Sequence, residues 1–600
     1  MQEPFQTEIA QHIWETRYRD RRANDTGDTT PQDTWRRVAR ALTQSEKTHG
    51  DQWRHRFFDV MKDLRFLPGG RILAGAGTAR RVTLMNCFVM GRIADSLDGI
   101  CAALREGALT MQQGGGVGYD FSTLRPFGET AGDTGNTASG PVSFMHVWDA
   151  MCATLLSTGA RRGAMMATLR CDHPDVLRFI EAKAQSGRLS HFNLSVLITD
   201  EFMAAVRADQ AWSLVFPASQ SRSESGDIQM RPWPGFEAAV PCRVHKRVPA
   251  RQIWRALMRS AYETGEPGVL FIDQINRSNN LHYCEHITAT NPCGEVPLPP
   301  YGACVLGSIN LTRFVRDPFT LRARLDWSGI AHTATIGVHM LDNAIDVSGY
   351  PLPAQQTEAQ RKRRIGLGIT GLADVLLMLG LHYGQQAARD VGANIARVVC
   401  HASYRASIDL AREKGAFSLF DRDAYLESAF IETLPDDLKS AIYTFGIRNS
   451  HLLAFAPAGT ISLLADNVSS GIEPVFGFHQ ERSIRQPDGT QRFYALDDYA
   501  FSLWRARHSA SGPLPDWFVE ADRLAPADHL AMQAALQPYV DNAISKTVNV
   551  PKAQSFGRFC DLYSQAYDSG LKGFTAFRTT GNARDVVARC GPVCHPDPSW

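Results

Sequence analysis

Apolar positions recur at helical spacing through the first sixty residues. Ile9, Ile13 and Tyr18 mark one amphipathic stretch, and Trp35, Val38 and Leu42 mark a second. Between them, residues 24–31 form a polar loop, and Thr30-Pro31 followed by Asp33 predicts a helix start. From Phe66-Leu67-Pro68-Gly69-Gly70-Arg71 onward, short apolar runs alternate with longer amphipathic ones. Val82 to Met90 and Gly268 to Asp273 read as strands, and the stretch around Trp254, Leu257 and Met258 reads as a helix. Arg363 to Gly371 predicts a strand-to-helix junction, with helices following through Lys414-Gly415, and Leu453-Ala454-Phe455 reads as a further apolar strand. This alternation predicts an α/β body with many parallel strands. Three regions result: an N-terminal helical segment over 1–62, a main body over 63–580, and a flexible tail over 581–600, rich in Gly, Pro and charge.

Several turns interrupt the pattern. Asp95-Ser96-Leu97 begins a helix, with Asp95 placed as N-cap. Gln112 to Tyr119 is glycine-rich and lets backbone approach a ligand, but lacks the Lys-Ser/Thr of a P-loop. Ser157 to Ala164 carries Arg161 and Arg162, two guanidiniums suited to a phosphate, a base or plain solvent. Asp172-His173-Pro174-Asp175 reads as a helix start and not as a metal site. At Ala456-Pro457-Ala458-Gly459-Thr460-Ile461-Ser462 a strand gives way to a helix N-terminus. Its free amides suit a phosphate, and the alternative is a helix capped by Thr460 or Ser462.

Composition removes some classes. The 600 residues carry 63 Lys plus Arg against 62 Asp plus Glu, so no net field draws the chain to nucleic acid or an anionic membrane. The charged start has no signal-peptide core, and no apolar run is long enough to span a bilayer. Twelve scattered cysteines in a chain this large argue for a reducing cytoplasm.

The most chemically loaded stretch is Asn291-Pro292-Cys293-Gly294-Glu295, followed by Tyr301-Gly302-Ala303-Cys304. In an extended segment Asn291, Cys293 and Glu295 would point the same way. Pro292 and Gly294 disfavour a helix and fit a tight loop. A thiol between an amide and a carboxylate suits radical and acid-base work on a diol: sulfur abstracts a hydrogen, the carboxylate takes a hydroxyl proton, and the amide orients the hydroxyls. A buried loop cysteine beside a capping asparagine is the plainer alternative.

Taken together, these stretches resemble ribonucleotide reductases, in particular the adenosylcobalamin-dependent class II enzymes. Asn291 to Glu295 matches that family's active-site loop, Cys87 and Cys304 its reducing pair, and Pro457 to Ser462, continuing to Gly471-Ile472-Glu473-Pro474, its phosphate-binding turn. Arg161 to Ala164 and Ser545 to Asn549 match further family segments, all in the expected order from about Phe66 to about Arg578. The resemblance implies a ten-stranded α/β barrel of two half-barrels, with a central finger loop carrying the radical cysteine. It implies Cys293 as thiyl radical, Glu295 as base on the 3′ hydroxyl and Asn291 as holder of the hydroxyls. Cys87 and Cys304 would end as a disulfide. Substrate would lie against Asn86, Gly116, Pro292, Gly294 and the turn Ala458, Gly459, Thr460, Ile461 and Ser462. Asp95, Ser96, Leu97 and Arg125 match positions that hold an allosteric deoxynucleotide or ATP, and Arg162 lies on the loop that relays effector identity. Adenosylcobalamin is the implied cofactor, a ribonucleotide the substrate, and thioredoxin or glutaredoxin the reductant. Di- or triphosphate substrate and oligomeric state, a homodimer included, stay open.

The chain also departs from the family. Gly69-Gly70-Arg71 stands where many relatives have Ser or Thr, no N-terminal ATP-cone is recognised, and no Asp-x-His-x-x-Gly segment is present. In the tail, Cys590 and Cys594 are expected to shuttle electrons to the Cys87–Cys304 pair. With His595 they would make only three ligands for zinc. The rival readings are a class I large subunit with a metalloprotein radical partner, a glycyl-radical reductase, and a nucleotide-binding regulator on an inactive scaffold. Against the class I reading, Gly570-Leu571-Lys572 continues as Gly573-Phe574-Thr575-Ala576-Phe577-Arg578, without the paired tyrosines that pass a radical in.

Overall fold

The computed structural model describes residues 5–21, 27–131, 136–157, 161–185, 187–218, 227–485, 490–508 and 512–578. The short apolar runs become strands: β1 (Phe66–Pro68), β2 (Cys87–Val89), β3 (Gly116–Asp120), β4 (Met165–Arg170), β5 (Phe192–Ile198), β6 (Gly268–Phe271), β7 (Ala303–Asn310), β8 (Ile365–Thr370), β9 (Thr547–Val550) and β10 (Gly573–Arg578). β1, β2, β5, β6 and β8 are buried along their whole length, as strands covered on both faces must be.

Their pairing makes two parallel halves. In the first, β2, β3, β4, β5 and β6 run parallel in that order. In the second, β7 runs parallel to β8, and β9 to β10. Two parallel bridges, Leu367 to Leu453 and Phe455 to Ile544, carry the second half from β8 through segment 453–455 to the approach of β9. The halves meet antiparallel at β6–β10 and at β7–β2. Pairing therefore runs round a ring of ten segments in two half-barrels, with β1 added outside on β7. The expected strand at 453–455 is present only as single bridges. The run from Val82 contracts to Cys87–Val89, and Gly268–Phe271 stops at a helix, Ile272–Arg277.

Inside the ring stands a hairpin, Ala289–Thr290 paired with Pro297–Leu298, with the cysteine turn at its tip. Its stem passes so close to β3 that a Cβ on Gly118 would lie 1.9 Å from the Thr290 carbonyl oxygen. Thr168 Oγ1 donates to the Thr288 carbonyl at 3.0 Å and fixes the stem from β4.

The N-terminal segment folds as expected around its apolar stripes. Glu8–Ile13 is an α-helix that continues as a π-turn over Trp14–Tyr18, and Pro31–Leu42 is a helix opened by a Thr30/Asp33 capping box. Asp466 ties it to the barrel by accepting from the Gln6 and Thr7 amides at 2.8 and 3.1 Å. Among the described residues, no helix is long and apolar enough to cross a membrane.

Gly118 supplies a test of the hairpin seat. Gly118→Ala sets a methyl against a backbone oxygen that cannot rotate away, at a cost of about 1–3 kcal/mol. Thermal unfolding is expected to shift down modestly, while turnover falls far more because the hairpin tip moves.

Candidate active site

The tip is the tight turn that Pro292 and Gly294 fit, so the shared face of an extended segment does not arise. Gly294 has φ +83°, a left-handed conformation that favours glycine, and its N–H donates to the Asn291 carbonyl at 3.1 Å. Asn291 and Glu295 come together because the chain folds back. The Asn291 carboxamide accepts from the Val296 amide at 3.0 Å and donates to Glu295 Oε1 at 2.8 Å and Cys87 Sγ at 3.2 Å. Asn291 and Glu295 are buried, and Cys293 at the apex is half-buried.

Neighbouring elements hold the turn from two sides. Asn193 on β5 donates to the Pro292 carbonyl at 2.7 Å, and the Ala543 amide donates to the Glu295 carbonyl at 2.9 Å. The bend carrying Ala543 is fixed in turn by Lys572, whose buried ammonium reaches the Asp541 and Asn542 carbonyls, each at 2.5 Å. Burial is the main cause of its lowered pKa, about 8. Local sequence carried no sign of this support.

The two other thiols are cross-strand neighbours. Cys87 on β2 and Cys304 on β7 are paired in antiparallel register, which brings Cα atoms into the range a disulfide needs. Both are free thiols in one small apolar cluster with Val89, Ala289, Val296, Leu298 and Ala454. Burial, then the Glu295 carboxylate and the neighbouring thiols, push Cys87 well above the ordinary thiol range. Burial likewise raises Cys304, against the pull of Arg364. Both therefore stay protonated and can give up hydrogen. Burial also lifts Glu295 to about 7, against hydrogen bonds from Asn291, its own backbone and Cys87.

Two cavities flank the turn. The larger, about 750 Å³, is lined by Asn86, Cys87, Gly116, Asn291, Pro292, Cys293 and Glu295 at one end and by 456–462 at the other. It thus gathers the expected site residues except Cys304, which lies behind Cys87, and Gly294. The second, about 460 Å³, is lined by Gly294 and by Leu270, Ile544, Phe574 and Phe577. Pro292, Cys293, Ser545 and Thr547 border both. In the phosphate turn, the Ala458 amide already donates to Ser470 Oγ at 2.8 Å and the Ser462 amide to the Ala458 carbonyl at 2.6 Å. The expected anion site therefore narrows to the amides of Gly459, Thr460 and Ile461. Thr460 does not cap the helix, and Ser462 Oγ donates back to the Gly459 carbonyl.

Of the expected effector residues, Asp95, Ser96, Leu97 and Arg125 come together, outside both cavities. Ser96 is the N-cap of helix Leu97–Gln112, accepting from the Gly99 amide at 3.0 Å, which corrects the expectation of Asp95. Asp95 instead pairs with Arg125, Nε to Oδ2 at 2.8 Å, and Leu97 is 70% exposed. Arg162 pairs through its backbone with Leu156. Cys590 and Cys594 lie outside the described residues. Nothing in the local sequence gives Thr16, Arg17, Tyr18, Arg19 and Arg21 a part in the chemistry, yet they line the larger cavity.

A ring of two parallel half-barrels threaded by a cysteine hairpin, with a dithiol in register behind it, defines an α/β barrel built around buried thiols. The chain belongs to the ribonucleotide reductases: residues 85–577 match the family's barrel domain and residues 4–81 its all-alpha domain. It is 36% identical over 572 residues to a vitamin B12-dependent ribonucleoside-diphosphate reductase of Mycobacterium tuberculosis, covering 92% of this chain and 76% of the relative. It is 33% identical to a protein of the same name from Thermoplasma acidophilum, covering 91% and 67%. A ribonucleoside-diphosphate reductase subunit alpha of Chlamydia pneumoniae is 28% identical, covering 74% and 45%.

With its pKa at about 7, Glu295 is mostly protonated below neutrality and mostly carboxylate above it, so a base at this position predicts a pH limit. The rate of 3′-hydrogen exchange is expected to climb about tenfold per pH unit below 7 and to flatten above. Glu295→Gln is expected to remove that limb along with the activity.

Proposed function

We propose that the chain reduces ribonucleotides to 2′-deoxyribonucleotides at Cys293, using adenosylcobalamin as the radical source. The position of Cys293 on the wall between two cavities carries this reading. One cavity holds Glu295, Cys87 and the amides of Gly459 to Ile461; the other backs the same thiol from the opposite side.

Substrate enters the larger cavity with its phosphates at Gly459–Ile461 and its ribose over Asn291. The Cys293 thiyl takes the 3′ hydrogen, re-forming S–H and leaving a carbon radical. Glu295 accepts the 3′ hydroxyl proton while Asn291 orients the diol. The C2′–O bond breaks and the hydroxyl leaves as water with a proton from Cys87. Cys87 and Cys304 supply two electrons and close as a disulfide, their second hydrogen forms the new C2′–H bond, and Glu295 returns its proton to the 3′ oxygen. Cys293 returns the hydrogen to C3′ and is again a thiyl. Exclusion of water by the barrel wall protects the radical.

The second cavity fits the nucleoside end of the cofactor. Phe574 and Phe577 offer aromatic faces, Gly265, Gly268 and Gly573 offer bare backbone, and Arg188 offers charge at the border, where Lys183 is paired with Glu266. Adenosylcobalamin, when bound there, supplies an organic radical by homolysis of its cobalt–carbon bond. Delivery along tyrosines is disfavoured by the same residues, because phenylalanine has no phenolic proton to lose. Tyr563 packs on Phe574 at 4.7 Å between ring centroids but borders neither cavity.

In this reading Cys590 and Cys594 re-reduce the Cys87–Cys304 disulfide by thiol exchange and accept electrons from thioredoxin or glutaredoxin in the cytoplasm. Asp95, Ser96, Leu97, Arg125 and Arg162 hold a deoxynucleotide or ATP effector.

Purified chain with adenosylcobalamin, a small dithiol and a ribonucleotide is expected to form deoxyribonucleotide with no second protein. Cys87→Ser or Cys304→Ser is expected to stop normal product while leaving 3′-hydrogen exchange in place. Activity that ignores cobalamin and appears only with a diiron or dimanganese partner would overturn the assignment.

A further inference from the structure

The outer end of the larger cavity is built by the N-terminal segment, and it is cationic. Arg17, Arg19 and Arg21 line it from the π-turn and the residues after it, and Arg71 and Arg80 line it from the stretch that follows β1. The carboxylates on the same lining are Glu295, Glu473 and Asp498. Glu473 is paired with the Lys546 ammonium at 2.5 Å. Asp498 is held well above the usual carboxylate range by burial and by neighbouring Asp374. The lining therefore carries more guanidiniums than ionised carboxylates.

The wall is held in place by buried bonds. Arg37 forms a buried pair with Asp28 at 2.9 Å. Its guanidinium also donates to the Tyr18 and Leu73 carbonyls, both at 3.1 Å, and to the Ala76 carbonyl at 2.5 Å. One buried guanidinium thus pins the π-turn to the helix Gly70–Gly75. The Tyr18 ring closes on the same helix: a Cβ on Gly70 would sit 3.3 Å from Tyr18 Oη. Arg19 Nε donates to the Asp28 carbonyl at 2.8 Å and its guanidinium lies over Trp14 at 5.6 Å. Arg21 Nη2 donates to the Glu15 carbonyl at 2.9 Å. A guanidinium carries five N–H donors, so these anchors leave each group able to take an anion as well. Arg71 lies against the glycine-rich turn, where a Cβ on Gly114 would fall 2.3 Å from Nη1.

We propose that this guanidinium wall, contributed chiefly by Arg17, Arg21 and Arg80, binds the terminal phosphate of a nucleoside polyphosphate substrate. It is a specificity element that the N-terminal helical segment adds to the barrel. The inference rests on the substrate reading above: the turn at Gly459–Ile461 takes the inner phosphates, and the wall takes what projects beyond them. Affinity gained from the wall grows with the number of phosphates, so a triphosphate depends on it more than a diphosphate.

The test compares cytidine 5′-diphosphate and 5′-triphosphate as substrates of the full chain with adenosylcobalamin, a small dithiol and saturating effector. Arg17→Gln combined with Arg80→Gln is expected to raise KM for the triphosphate about tenfold and for the diphosphate about threefold, with kcat within about twofold. Arg17→Lys with Arg80→Lys is expected to recover most of the loss, and 0.5 M KCl to shrink the difference. Arg36→Gln removes the same charge from an exposed position off the cavity, paired with Asp33, and serves as control. Arg80→Gln alone, in an exposed stretch outside any helix or strand, avoids dependence on the N-terminal fold and is expected to give part of the effect. Unchanged KM values in the double variant, or the same change in Arg36→Gln, would overturn the wall. Failure of wild-type protein to reduce either nucleotide would overturn the substrate reading instead.

Discussion

The carboxamide of Asn291 is the joint on which the centre depends. It accepts from the Val296 amide, donates to Glu295 and reaches Cys87, so one side chain closes the turn, holds the carboxylate and touches the thiol. Every one of these bonds is buried, where an unmet partner costs about 1–3 kcal/mol. The turn is thus fixed as a unit, and Cys293 stands at its apex because the residues on either side are held. The same burial that makes these bonds matter keeps Glu295 near neutrality and both reducing thiols protonated.

The barrel exists in this account to put that turn between two spaces. Parallel halves joined at antiparallel seams leave an interior wide enough for a hairpin, and Gly118 gives the hairpin room to pass. Its tip then divides the interior. A thiol bordering both sides can exchange hydrogen with one occupant and then with another without either meeting the other. The second half-barrel contributes the phosphate turn, and the N-terminal segment completes the mouth. Asp466 joins the two, since it follows the phosphate-turn helix and accepts from the first residues of the N-terminal helix.

Local physics made much of this legible. The stripes at Ile9 and Ile13 and at Trp35 and Val38, the capping box at Thr30 and Asp33, and the buried runs of β6 and β8 all follow from spacing and residue type. The family was legible through the joint order of the motifs in the chain. Their geometry was less so. Alternation placed Asn291, Cys293 and Glu295 on one face, but Gly294 at positive φ bends the segment and brings amide and carboxylate together by a different route. The cap at Ser96 was missed by one residue because Asp95, equally suited, is taken by Arg125 from 30 residues away. Ala458 looked like a phosphate donor because nothing local reveals that Ser470 occupies its amide. Lys572 reaches Glu295 only through the bend that carries Ala543, and the wall of Thr16 to Arg19 and Arg21 faces residues hundreds of positions away; no local pattern encodes such pairings.

The central claim is that Cys293 passes hydrogen between the two cavities. It is tested most directly by tritium washout from the 5′ carbon of labelled adenosylcobalamin into water, with the purified chain, a dithiol and an effector. Washout is expected without any second protein and is expected to vanish in Cys293→Ser, while persisting in Cys304→Ser. Washout undiminished in Cys293→Ser, or absent from the wild-type chain, would contradict the account.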